Sequence, residues 1–203
     1  GCGGASAELA LVAPTLVDRS VPGAARVDAS GVGMGVSGLR GTLSAMEARQ
    51  ALEPKMAEMT GCFALRSMGF EQLGGQIRML IRVEGSGRVV SSHPEDSTVG
   101  DRDVERCVRR VILGTRFPRT QGGGEAEIHW AMTVDPPDSV REPMTWSPER
   151  VARVVRLRRD RVRHSCNLDS GVQVTAYVSR GGRVLRAGAA SVEATDDEVL
   201  DCV

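Results

Sequence analysis

One pair of segments limits the folds open to this chain. Residues 87–108 read GRVVSSHPEDSTVGDRDVERCV, and residues 182–203 read GRVLRAGAASVEATDDEVLDCV. They agree without a gap at seven positions, including the opening Gly-Arg-Val and the closing Cys-Val. A segment carried twice, with a cysteine at the same place in both copies, points to a duplicated structural unit. The unit is of domain size, so this is a duplication and not a solenoid of short repeats.

The cysteines sharpen that reading. There are five, Cys2, Cys62, Cys107, Cys166 and Cys202, and an odd count in an exported protein leaves one with a separate fate. Cys107 and Cys202 share a repeat position. Cys62 and Cys166 each end a helix-like segment that precedes a strand-like one. The pairing this implies is Cys62–Cys107 and Cys166–Cys202, one bridge per repeat. Each closes a loop of about 40 residues, worth roughly 4 kcal/mol in the chain-entropy model. Metal binding is the rival use. It lacks a C-x-x-C, and His93, His129 and His164 do not cluster with the cysteines along the chain, so no metal or cofactor is expected. Buried free thiols in a cytosolic protein are the other alternative. Disulfides imply an oxidising compartment, here the periplasm or cell surface.

The start of the chain, Gly1-Cys2-Gly3-Gly4, looks like the junction of a bacterial lipoprotein signal, which makes Cys2 a lipidation candidate; the alternative is an incidental thiol behind a cloning remnant. Residues 1–41 are rich in Gly, Ala, Ser and Val and read as an N-terminal arm or tether. Within it, ELALVAPTLV could form a strand interrupted at Pro14, and GVGMGVSGLRG carries too many glycines for a stable helix. No run of 18 apolar residues occurs, so no membrane-spanning helix is expected.

Residues 42–135 read as a first α/β unit. Ser44-Ala-Met-Glu47 is a capping box opening a helix toward Cys62, with Pro54 placed to kink or split it. QIRMLIRV (76–83) alternates, Gly85-Ser86-Gly87 turns, and Arg88-Val89-Val90 begins the return strand of a hairpin. GDRDVERCVRRVIL places Val104, Cys107, Val108, Val111 and Ile112 on one helical stripe. EAEIHWAMTV then alternates, with Ala126, Ile128, Trp130 and Met132 on one face. Residues 136–145 form a polar, proline-containing linker. Residues 146–203 repeat the pattern: Ser147-Pro148-Glu149 opens a helix that ends at Cys166, VQVTAYV and Arg183-Val184-Leu185 form a hairpin around Gly181-Gly182, and DDEVLDCV begins a closing helix.

These residues resemble the C-terminal domain of the AgmX/PglI family, TonB-C-like periplasmic modules of myxobacterial type. The carriers are Leu43-Ser44, Gly61-Cys62-Phe63, Gly87-Arg88-Val89-Val90, Val104-Glu105-Arg106-Cys107-Val108 and Arg116-Phe117-Pro118. The first unit matches from Gly41 to about Asp135, and the second from Trp146 without the RFP segment or last strand. The resemblance implies an α+β fold of two small TonB-C-like domains. Each would hold a helix, a β-hairpin and a second helix, and the first a third antiparallel strand. It also implies a role in cell-envelope machinery, such as motility or trans-envelope coupling, and carries over no active site.

Chemistry finds little support in the sequence. His93 falls in HPEDST, read as a solvated loop after the return strand, although Glu95 and Asp96 could imitate an acid–base set. His129 is expected to be exposed, and His164 ends an arginine-rich helix where the helix dipole favours it. Gly122-Gly123-Gly124 leads into a strand without Lys-Ser/Thr, so it is a turn rather than a phosphate loop. Formal net charge is zero, and disulfides with few aromatics argue against nucleic acid. The helix after Ser147 carries seven arginines against Glu149 and Asp160. Arg150, Arg153, Arg156, Arg159 and Arg163 could present a surface to an anionic partner. The plainer reading makes them the solvated face of a helix whose Val151, Val154, Val155 and Val162 pack into a core. Three functions follow: a non-catalytic envelope lipoprotein joining other envelope proteins or itself through sheet edges, a module capturing a peptide by strand addition, and, least supported, a cell-wall enzyme. Membrane contact is expected only through a lipid at Cys2.

Overall fold

The computed structural model describes residues 43–136, 143–168, 171–193 and 197–203, together with the backbone of 32–40. The architecture is α+β with two antiparallel sheets. Strand β1 (Val32–Arg40) is followed by helices α1 (Ala45–Leu52) and α2 (Met56–Ser67), the hairpin β2 (Gly75–Val83) and β3 (Val89–Ser97), helix α3 (Arg102–Leu113) and strand β4 (Ala126–Val134). Helix α4 (Pro148–Ser165), the hairpin β5 (Gln173–Val178) and β6 (Val184–Ala190), and helix α5 (Asp197–Cys202) complete the described chain. The first sheet has the order β1-β4-β2-β3, and the second consists of β5 and β6.

Local chemistry explains the first elements. The Ser44 hydroxyl accepts from the Glu47 amide at 3.2 Å while the Glu47 carboxylate accepts from the Ser44 amide at 2.8 Å, so the reciprocal capping box starts α1. Pro54 cannot donate to an α-helical ladder, and a 3-10 turn over Glu53–Lys55 splits α1 from α2 there. In β4 the alternation is complete: Ala126, Ile128, Trp130 and Met132 are all buried. They face Ile77, Met79, Ile81 and Val83 of β2, and Val104, Val108 and Ile112 of α3 close the same core.

Two expectations fail in this sheet. The glycine-rich end of the arm, read as a loose tether, is strand β1 over Val32–Arg40, antiparallel to β4 with an irregularity between Val36 and Gly38. The sheet therefore has four strands rather than three. Glycine has poor strand propensity, so only pairing with an existing neighbour makes this segment a strand. The segment ELALVAPTLV and Cys2 lie outside the described residues. The second failure is HPEDST. It is no solvated loop but the body of β3, and His93 is 6% exposed opposite Leu80. Pro94 is accommodated because β3 is an edge strand and its register with β2 shifts beside Pro94.

The disulfides join Cys62 to Cys107 and Cys166 to Cys202, spanning 45 and 36 residues. The first ties α2 to α3, and the second ties the end of α4 to α5. The second core is small, built on Cys166, Leu168, Val172, Ala189 and Leu200. So little apolar area calls for a covalent staple and a docking partner, and the β5–β6 hairpin lies against β3 and α3. Tyr177 of β5 reaches into the first core, meeting Phe70 edge-on at 4.8 Å and donating to the Gly74 carbonyl at 3.1 Å.

Two glycines at one repeat position show what distinguishes the copies. Gly87 and Gly182 hold φ +84° and +81° in the turns of their hairpins. A methyl at Gly87 would fall on the Phe117 carbonyl oxygen, whereas one at Gly182 meets open space. Gly182→Ala is expected to cost about 1 kcal/mol from backbone strain alone, and Gly87→Ala clearly more, because the Phe117–Pro118 segment must also move. Urea denaturation of the two variants measures the difference. Cys202→Ser is expected to free α5 and the second hairpin while the first core stays folded. Hydrogen exchange would then show fast amides at 173–190 and protected ones in β2 and β4.

Candidate functional site

The polar atoms that are both buried and organised lie where the second hairpin and α5 meet α3. Glu105 is fully buried. Its carboxylate accepts from the Ser97 hydroxyl of β3 at 2.7 Å and from the Ala189 amide of β6 at 3.0 Å, with the Arg102 guanidinium 3.5 Å away. A side chain at Gly188 would overlap that carboxylate, so β6 comes close only because glycine stands there. Two further bonds seat the hairpin: the Ser191 amide donates to the Pro94 carbonyl at 2.9 Å and the Thr175 hydroxyl to the Ser97 carbonyl at 2.8 Å.

Around this centre the charges alternate. Asp101 caps α3 by accepting from the Val104 amide at 3.1 Å. It also pairs with Arg66 of α2 at 3.0 Å and Arg186 of β6 at 3.2 Å. Arg102 pairs with Asp197 and, at 2.7 Å, with Asp201. Arg106 reaches Asp201 at 3.4 Å and Arg109 reaches Asp197 at 3.2 Å.

Aligning residues 87–108 with 182–203 relates these charges to one another. Arg102 and Asp197 hold the same repeat position, and so do Arg106 and Asp201. α3 and α5 therefore meet through equivalent sites, as the halves of an isologous dimer do, but with opposite charge in the two copies. Like charges would repel at such contacts, so the opposite signs favour α3 against α5 over either helix against its own kind. Glu105 likewise holds the position of Leu200, which is buried in the second core.

Burial pushes the Glu105 carboxyl up to about 7, against the opposing pull of Ser97, the Ala189 amide and Arg102. The shift has a defined sign. A carboxyl that holds its proton more tightly when docked than its ordinary 4.5 weakens docking as pH rises from 4.5 through 7. Burial lowers the pKa of His93 from its ordinary 6.5, and that works the other way, stability rising with pH up to about 6.5.

The sequence candidates separate. Cys62 with Cys107 and Cys166 with Cys202 are joined as described above. His93 and His129 both register with Leu80 on the sheet face turned from the core. His129 is partly buried rather than exposed. Its Nδ1 lies 2.8 Å from Glu95 and its Nε2 3.7 Å from Glu127, while Arg82 pairs with Glu127 at 3.3 Å. No group of three or more His, Cys, Asp or Glu among the described residues is placed to hold a metal ion. Arg150, Arg153, Arg156, Arg159 and Arg163 lie on α4, whose apolar side is not the core face expected of it. No residue of α4 with a described side chain is buried, and Val154 is 62% exposed. Only the C-terminal end joins the second core, through Val162 and the capping Cys166. The four-valine count suggested a buried stripe, but Arg158 interrupts it between Val155 and Val162.

Sequence reasoning did not single out Glu105, Arg102 or Asp101. The usable signal was the glutamate standing where the other copy has a leucine.

No family model matches the chain, and no curated protein matches it. Among solved structures, the solution NMR structure of the Pseudomonas aeruginosa TonB C-terminal domain matches with a TM-score of 0.28 and 18% identity, over 58% of this chain and 98% of that one.

Glu105→Gln is expected to abolish the loss of docking between pH 5 and 8. In the parent protein that loss is of order 3 kcal/mol, from a carboxyl raised from 4.5 to about 7. Hydrogen exchange of the β6 amides across that range measures it, with Asp101, Arg102, Arg186 and Asp197 left intact around the site.

Proposed function

We propose that this chain is a non-catalytic, protein-interacting component of the bacterial cell envelope. It is read as two TonB-C-like modules in tandem, held to the membrane by a lipid on Cys2. The assembly it joins would be of the motility or trans-envelope coupling type. The observation that carries this reading is the pair of disulfides at equivalent places in the two copies, Cys62–Cys107 and Cys166–Cys202. Bridges of this kind persist in an oxidising compartment. The element order of helix, hairpin and closing helix in both copies supports the module assignment.

Thiol trapping in producing cells tests the compartment. All four cysteines should resist alkylation until reductant is added, and free thiols at these positions would end the envelope reading. Growth with radiolabelled palmitate should mark the protein, and Cys2→Ser should erase the label; an unlabelled parent protein removes the anchor.

Strand addition is a second reading, favoured by the sheet edges. β1 is an outer strand of the first sheet, and β5 pairs only with β6 among the described residues. Either row of backbone groups could receive an extended segment. Deleting residues 1–31 should leave the number of chains per particle unchanged, whereas deleting 1–40 should uncover the β4 edge and produce dimers or larger species by light scattering. The peptide VGMGVSGLR should reverse that association. A truncated protein that stays monomeric and ignores the peptide would count against edge capture.

A further inference from the structure

Among the described elements, helix α4 concentrates arginines with few carboxylates to answer them. Outside α4 more than half of the described arginines find carboxylates: Arg66, Arg78, Arg82, Arg88, Arg102, Arg106, Arg109 and Arg186 all lie in ion pairs. On α4, among the described residues, Arg159 alone does, with its neighbour Asp160 at 3.2 Å. Arg150, Arg153, Arg156, Arg158, Arg161 and Arg163 have no carboxylate within ion-pair distance among those residues. Seven arginines against Glu149 and Asp160 leave the helix strongly cationic in a chain of zero formal charge.

The outward side of α4 is not purely polar. Residues 150, 153, 154, 157 and 161 follow helical spacing and share one face, and all five are exposed. That face carries Arg150, Arg153 and Arg161 around Val154 and Leu157, the last 69% exposed. Exposed Met144 and Trp146 stand just before the helix in the chain. Arginines flanking exposed aliphatic side chains, with tryptophan at one end, match a helix lying in the plane of a lipid interface. There the apolar side chains enter the acyl boundary and the guanidinium groups reach the headgroup phosphates. A free phosphate or a nucleic acid would use the charge and leave Val154 and Leu157 idle.

We infer that the outward face of α4, formed by Arg150, Arg153, Val154, Leu157 and Arg161, docks on an anionic lipid surface. The inference deepens the envelope reading by naming a second membrane contact besides Cys2. It stands apart from that reading's tests, because it concerns purified protein and vesicles.

The experiment uses the oxidised full chain carrying Cys2→Ser, so that no lipid anchor contributes, in sedimentation with vesicles of phosphatidylcholine alone or mixed with phosphatidylglycerol. Binding is expected only to the anionic vesicles and should weaken as salt rises, since the Debye length falls to about 10 Å at 0.1 M. The triple variant Arg150→Gln, Arg153→Gln, Arg161→Gln should bind at least about ten-fold more weakly, given the usual contribution of each basic residue near such a surface. The double variant Val154→Ser, Leu157→Ser keeps every charge and should still bind several-fold more weakly. Intact disulfides and an unchanged melting temperature in both variants show that the fold is kept. No binding to anionic vesicles would overturn the proposal. So would equal binding to neutral ones, or a double variant that binds like the parent, which would reduce the helix to a patch for soluble polyanions.

Discussion

The structure hangs on helix α3, which is held on three sides by three kinds of interaction. Cys107 fastens it covalently to α2. Val104, Val108 and Ile112 fill the core beneath the first sheet. Arg102, Glu105, Arg106 and Arg109 receive α5 and the second hairpin. The apolar and covalent contacts would fold the first sheet without any help from the second hairpin. The converse does not hold. The second core is too small to persist alone, and it is seated against α3, where Glu105 accepts from the Ala189 amide and arginines pair with Asp197 and Asp201.

That docking uses polar groups where a hydrophobic interface would have been simpler. A buried ionisable group contributes little net stability, but it penalises every arrangement that leaves it unpaired. Glu105 with Ser97 and the Ala189 amide therefore selects one seating of β6. Opposite charges at equivalent repeat positions select which copy meets which. The two aligned segments thus differ in charge where they meet, while their cysteines stand at the same aligned position.

Much of the backbone was legible in the sequence because its signals are local. The Ser44–Glu47 box, Pro54 and the alternation of 126–134 act on their own neighbours, and the repeat supplied the cysteine pairing by register. The misreadings fall where tertiary pairing overrides local preference. β1 is too rich in glycine to declare itself a strand, and β3 carries Pro94 and a polar run that resemble a loop. α4 carries a valine pattern that promises a core face, yet nothing among the described residues buries it. A pattern states which face is apolar and leaves open what that face meets.

The sequence by itself determined the order of elements from α1 onward, the similarity of 87–108 to 182–203 and the joining of each closing helix to its opening one, because capping, alternation and repeat register are properties of short segments. Only the tertiary structure decided that β1 completes the first sheet, that the second hairpin sits on β3 and α3, and that Glu105 is buried at the centre of the junction. These depend on groups nearly a hundred residues apart meeting in space, Glu105 with Ala189 and Arg102 with Asp197. No local propensity encodes a partner at that distance. Complementary charge and shape do, and they act only once both surfaces exist.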